Sequence, residues 1–206
     1  MLKLKLNIPQ VLLSSKLGDG GFVKQGKYSN SYYMTFTTYH YDYACHIRDK
    51  LKSLSIFVSD IRTIKSGYKE GSYGYTFSTR IHPLLSKVGN ISNKDAILKL
   101  NKEGLSYFFI DDGSFHQKKH FGHLYCNTFS IEECESLIEV MYKYYPSKRC
   151  SIRFDRKKDG RKFPYLYIPV CVMNQYKLDV LDLIKRNRLY SFMYKVGQPS
   201  QTIEKV

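Results

Sequence analysis

The apolar positions of this chain fall into an order that occurs twice. A compact apolar stretch from Pro9 to Leu17 suits a short buried helix, with Pro9 near its first turn and Gly20-Gly21 ending it. Strand-like alternation follows, with Tyr32, Met34 and Phe36 on one face and Tyr33, Thr35 and Thr37 on the other. Tyr43, Ala44, Ile47, Leu51 and Leu54 then recur at helical spacing. Two more strands are expected from Ile56 to Ile64 and from Tyr73 to Phe77, separated by the charged turn Lys69-Glu70-Gly71.

The second half repeats this order. A helix is expected from Gly104 to Asp111, then short strands over Ser114 to Lys118 and Gly122 to Thr128. Ser130 and Glu133 have capping-box spacing at the head of a helix whose stripe is Ile131, Cys134, Leu137, Ile138 and Met141. A hairpin over Ser151 to Arg156 and Phe163 to Ile168 turns at Asp159-Gly160, and a last helix covers Met173 to Lys185. One offset of 93, which carries Asp19 onto Asp112, also lays the Ser130–Tyr145 helix on Thr37–Lys52 and the Tyr167 strand on Gly74. The fold class expected is therefore α+β, two αββαββα repeats. The divisions are 1–86 for the first repeat, 87–102 for a polar linker, 103–197 for the second repeat and 198–206 for a frayed tail.

Each opening helix ends in Asp-Gly, at Asp19-Gly20 and at Asp112-Gly113. A single Asp-Gly reads as a helix stop or turn. Two at equivalent positions of a duplicated pattern read differently. If the helices pack side by side at a pseudo-twofold axis, two carboxylates converge there. Such a pair is costly unless cations join it, and Mg²⁺ suits that role. Ser14, Ser15 and Ser106 are small enough for the close helix packing this needs. The net charge of +15, from 33 Lys and Arg against 18 Asp and Glu, points to a polyanionic partner. A lysine-rich basic protein from an AT-rich genome is the plainer source of the same charge. The five cysteines are scattered, with no C-x-x-C pair, as in reduced intracellular proteins. The start Met-Leu-Lys-Leu-Lys-Leu lacks the apolar core of a signal peptide, and no run approaches the length of a membrane span. Intracellular localisation is expected, in an organelle or in a bacterial or phage-host cytoplasm.

The residues 12–20 and 105–113 resemble the two motif copies of the LAGLIDADG homing endonucleases in their single-chain, two-repeat form. The resemblance extends to Leu124–Cys134, which is similar to the family's strand into NT-x-F-S-x-E-E, and to Met193-Tyr194-Lys195 and Ser86-Lys87-Val88. It implies a DNA-binding saddle of two antiparallel sheets, with the motif helices packed at the centre. It also implies metal-dependent cleavage of both strands of double-stranded DNA by a monomer with Mg²⁺ or Mn²⁺. By position, Asp19 and Asp112 become the catalytic, metal-binding acids. Gly18 and Asp111 would offer backbone carbonyls to the metals, and Lys87 and Lys195 would stand beside the scissile phosphates. Lys16 and Ser15 depart from the apolar residues usual in the first motif, and the acid-to-lysine spacings differ between the halves.

Sheet strands in a groove present alternate side chains to bases and phosphates. The candidates for DNA contact are Lys24, Gln25, Lys27, Arg62, Lys65, Lys69 and Arg80 in the first half. In the second half they are His116, Lys118, Arg153, Arg156, Lys158 and Arg161. His116, His120 and His123 lie on an expected hairpin rather than on one helix face, and they read as hairpin side chains rather than a zinc site. The resulting expectation is a site-specific, intron-encoded double-strand DNA endonuclease. The competing readings are a maturase that binds its host intron RNA, and a catalytically inactive DNA-binding regulator.

Overall fold

The structure is a computed structural model and describes residues 8–65, 72–146, 150–156 and 160–198. The candidates Lys69 and Lys158, and the turn residue Asp159, lie outside the described residues.

Two helices form the middle of the molecule. In α1 (Gln10–Leu17), Pro9 stands at the N-cap, where its missing N–H costs nothing, and its carbonyl accepts from Leu12 and Leu13 N–H. In α5 (Lys102–Asp112), the Asn101 side chain accepts from the Gly104 N–H. Both helices are buried almost all round, from Val11 to Ser15 and from Gly104 to Ile110, so each is covered by protein on every face. They pack on each other, and Gln10 fastens their starts by bonding the Lys99 carbonyl and the Asn101 N–H. Two of the three seam serines are satisfied within their own helices: Ser14 donates to the Val11 carbonyl and Ser106 to the Lys102 carbonyl.

An antiparallel sheet flanks each central helix. The first has β1 (Gly20–Lys24), β2 (Tyr32–Thr38), β3 (Arg62–Lys65) and β4 (Tyr73–Ser78) in the order β1-β2-β4-β3. The second has β5 (Gly113–His116), β6 (Phe121–Tyr125), β7 (Ser151–Arg156) and β8 (Lys162–Ile168) in the order β5-β6-β8-β7. Alternation sends Met34, Phe36 and Phe77 of one sheet, and Leu124, Leu166 and Ile168 of the other, into the core. That core is one continuous cluster across both halves. Helix α2 (Tyr41–Ser53) covers the first sheet, and α6 (Ile131–Tyr144) and α7 (Val170–Arg186) cover the second. A 3₁₀ segment, Tyr190–Val196, returns the chain to β5. Among the described residues no helix is long and apolar enough to cross a membrane.

The structure corrects three sequence expectations. Of Ile56–Ile64 only the end enters a strand; Ile56 and Val58 are extended core residues, and Val58 makes a single bridge to Thr79. Most of the expected linker, 87–102, is helical. Helix α3 (Pro83–Asn90) runs through the boundary at 86, and α4 (Asn93–Leu98) packs on α6. Polar composition hid these helices, but Leu85, Val88, Ala96, Ile97 and Leu100 are buried. The offset of 93 also holds only at the start of each half. Gly20 pairs with Phe36 and Gly113 with Leu124, so the offset falls from 93 to 88 across the first hairpin, whose loop is longer in the first half. Phe36 and Leu124 then pair with Phe77 and Leu166, which aligns Tyr167 with Ser78 rather than Gly74.

The capping box is complete: Ser130 accepts from the Glu133 N–H, and Glu133 accepts from the Ser130 N–H. Ser130→Ala should cost about 1 kcal/mol. Urea unfolding would show this as a lower midpoint at constant slope, with Ser130→Thr recovering most of it.

Candidate functional site

The central helices deliver their C-terminal acids to one place. Asp19 follows the Gly18 cap of α1, and Asp112 is the last residue of α5. The turn after Asp19 lies tight on α1: a side chain at Gly20 would place its Cβ 2.5 Å from the Ser15 carbonyl oxygen, so only glycine fits. Beside Asp112 opens a cleft of about 430 Å³, whose lining includes Asp111, Asp112, Asn127, Tyr194 and Lys195.

Three carboxyls share this region. Burial, then the charge of Asp19, pushes the Asp112 pKa up to about 7, while Lys195 pulls it down. Asp19 is also raised by dense surroundings and lowered by Lys195. Its residue is nonetheless exposed, so its shift is the most open to screening by water. Asp111 is pushed well above the ordinary carboxylate range by burial and by Asp19. The Tyr43 hydroxyl and the nearby Asp19 N–H favour its charged form. Asp111 Oδ1 accepts from the Tyr43 hydroxyl at 2.6 Å, whereas Oδ2 is enclosed and has no hydrogen-bond partner. The Lys195 ammonium donates to the Gly113 carbonyl; burial lowers its pKa and the three acids raise it.

These residues fit a divalent cation. Asp19 and Asp112 resist ionisation while no cation joins them. Among the described residues no three His, Cys, Asp or Glu side chains close into a metal cage. Mg²⁺ does not need one, since it takes one or two carboxylates and completes its shell with water and phosphate oxygens.

The structure thus brings Asp19, Asp111, Asp112, Gly18 and Lys195 together. Lys87 is an exposed residue of α3, and Lys195 is a cation whose charge acts on both Asp19 and Asp112. The basic candidates divide by strand parity. Arg62, through its pairing with Thr76, shares the open face with Thr37; His116 and Arg153 share the open face of the second sheet with Phe121 and Tyr165. Lys24, Lys65 and Arg156 have the parity of the helix-covered faces, but they stand exposed at strand ends. Gln25, Lys27 and Lys118 are exposed on hairpin loops. Arg80 lies over the Phe57 ring at 4.4 Å, and Arg161 over Phe163 at 5.6 Å.

Sequence reasoning missed the chemical contrast between the open faces. The first carries hydroxyls, with Thr37 bonded to Thr76. The second carries an aromatic layer in which Phe121 contacts His116, His123 and Tyr167, and Arg153 lies 3.7 Å over Tyr167. The alternations Phe121-x-His123-x-Tyr125 and Phe163-x-Tyr165-x-Tyr167 carried that signal.

The burial-raised acids give a testable pH dependence. A carboxyl whose folded pKa of about 7 exceeds its ordinary 3.8 binds its proton more tightly in the folded state. Its contribution is present below the ordinary value and is lost as pH rises through about 7. Half-buried His46, lowered to about 4 by burial and hydrogen-bonded to the Tyr107 hydroxyl, has the opposite sign at lower pH: its contribution is lost as pH falls toward 4. The increment in melting temperature caused by Mg²⁺ cancels the histidine contribution. That increment should grow between pH 6 and pH 8 and shrink in Asp112→Asn. An increment independent of pH would contradict the site.

Two packed helices that each carry an acid to one seam between two four-stranded antiparallel sheets define a pseudo-symmetric, two-repeat protein with a paired-carboxylate centre. The chain belongs to the LAGLIDADG DNA endonuclease family, whose sequence model matches residues 10–175. Its fold is similar to that of the homing endonuclease I-WcaI bound to its DNA recognition sequence, with 22% identity, a TM-score of 0.69, and coverage of 92% of this chain and 87% of that one. It is also similar to I-DmoI in complex with DNA and Mn, with 15% identity, a TM-score of 0.55, and coverage of 85% and 96%. The N-terminal LAGLIDADG domain of DUF199/WhiA follows, with 14% identity, a TM-score of 0.51, and coverage of 84% and 86%. At these identities the likeness is one of fold. No curated protein sequence matches the chain.

Proposed function

We propose that this protein is a site-specific homing endonuclease that hydrolyses a phosphodiester bond in each strand of a double-stranded DNA target. The observation that carries this reading is the convergence of Asp19 and Asp112, with Lys195, at the joined ends of α1 and α5 in a chain of this family. Asp19 and Asp112 would hold Mg²⁺ or Mn²⁺, aided by the backbone carbonyls of Gly18 and Asp111. A divalent ion bound there supplies an activated water and stabilisation of the leaving oxygen. Complexes of I-DmoI with DNA and Mn, and with DNA and Ca, are in keeping with divalent chemistry in this fold. Lys195, tethered by the Gly113 carbonyl, is placed to offset charge on a phosphate.

The open sheet faces would lie against the duplex, with Arg62, His116 and Arg153 toward the bases and the exposed lysines of the hairpin loops toward phosphates. Both acids come from one chain, so a monomer suffices. The target is the joined sequence that would flank the gene if it resides in an intron. The test is incubation with Mg²⁺ and a supercoiled plasmid carrying that joined sequence. Linear product with defined ends supports the reading. No cutting, together with tight binding to the intron transcript, would replace it with the maturase.

A further inference from the structure

The two catalytic-acid candidates are held by different means, and the difference lies in one side chain. Asp111 and Gly18 are equivalent positions in the two motif helices. They meet across the seam: a Cβ on Gly18 would stand 2.6 Å from Asp111 Oδ2 and 2.8 Å from Asp111 Cβ. The carboxyl of the second repeat therefore rests on the backbone of the first repeat's acid turn. Its orientation is set by Tyr43, whose hydroxyl donates to Oδ1. Tyr43 is 1% exposed and is fixed by edge contacts with Phe36 and Phe192, so this donor is rigid.

The equivalent position of the first repeat cannot supply the reverse brace. Gly18 has no side chain to reach toward Asp112. The buried positions Ala44, Ile47 and Leu51 of α2 correspond to Cys134, Leu137 and Met141 of α6, which places Glu133 opposite Tyr43. Glu133 is used to cap its own helix, bonding the Ser130 N–H at 2.7 Å. On the Asp112 side, the group that bonds the turn is Lys195, through the Gly113 carbonyl.

We propose that the Asp111 side chain is a positioning residue for Asp19 but not for Asp112: locked by Tyr43, it holds the Gly18–Asp19 turn from across the seam, so that the two strand cuts are supported unequally. The inference rests on the endonuclease reading. It assigns the side chain of Asp111 a task separate from the metal-facing role of its backbone carbonyl. Displacing a catalytic group by about 1 Å costs up to roughly 100-fold in rate. Loss of the brace should therefore slow the strand served by Asp19 by roughly ten- to a hundred-fold while the other strand is cut at close to its normal rate.

The test uses the full chain carrying Tyr43→Phe, Asp111→Ala or Asp111→Asn, a supercoiled target plasmid and strand-specific end labels. Tyr43→Phe and Asp111→Ala should accumulate nicked circle, with the same strand slow in both. Asp111→Asn, which keeps an acceptor for Tyr43 and fills the space on Gly18, should recover linear product relative to Asp111→Ala. Independently of cutting, titration with Mn²⁺ alone, followed by electron paramagnetic resonance, should show one class of ion weakened about tenfold, as expected for one displaced ligand. If Asp111→Ala fails to fold, Tyr43→Phe, which removes a single oxygen, carries the same test.

An unchanged ratio of nicked to linear product overturns the inference, as does equal slowing of both strands. If the unaltered protein cuts neither strand, the endonuclease reading fails. The brace is then judged on Mn²⁺ alone: selective weakening of one ion class supports it, and uniform or absent weakening overturns it.

Discussion

Asp19→Asn and Asp112→Asn should each all but abolish double-strand cleavage, with a rate loss of about 100- to 1000-fold, the scale on which removal of a single electrostatic stabiliser acts. Each change keeps the size of the side chain and removes its charge. Neither acid is a core residue: Asp19 is exposed, and Asp112 is only partly buried at the edge of the cleft. The fold should therefore survive. A divalent ion would lose one of its few protein ligands and could not recover it from the solvent in the same geometry. DNA affinity should stay within about threefold or rise slightly, because one repulsive charge facing the phosphates is gone. The metal-free variants should also melt higher than the unaltered protein at pH 8, since each relieves an acid whose pKa is raised in the folded state. Cleavage assays, gel-shift titrations and melting curves give the three readouts. Persistent linear product in both variants would refute the assignment of the acids.

Phe109→Ala should produce the largest loss of stability, about 3–5 kcal/mol. Phe109 lies on α5 with 0% exposure and makes an edge contact with Tyr176 at 5.2 Å and 71°. Tyr176 is itself fully buried, and its hydroxyl bonds the Leu105 carbonyl, so the surrounding structure has little freedom to close the cavity. The core runs unbroken from the first sheet through α1 and α5 to the second. Damage at its centre should therefore destabilise both repeats together. Urea unfolding should keep a single transition at a much lower midpoint. Two separated transitions would mean that the repeats fold independently, contrary to the shared core.

Much of this was legible in the one-dimensional pattern. The two Asp-Gly helices, the capping box at Ser130 and the strand alternation of Tyr32–Phe36 and Phe163–Ile168 appear where local rules place them. These features depend on near neighbours: a cap on three residues, an alternating face on five or six. The helices in 87–102 were not legible, because their few apolar residues gain meaning only when α1 and α6 supply the surface that buries them. The offset between halves drifted for a similar reason. A hairpin loop of different length leaves no mark on hydrophobic periodicity, but it displaces every residue after it.

By itself, the sequence determined that this protein is a basic, duplicated α+β chain with an acid at the end of each opening helix, because period, charge and turn chemistry are local properties of residues. Only the tertiary structure decided which groups share the centre. It brought Lys195 to the acids, set Asp111 against Gly18 and Tyr43, and sorted the surface cations by strand parity. These outcomes come from packing between elements far apart in sequence, where one side chain's presence and another's absence make two similar halves unequal.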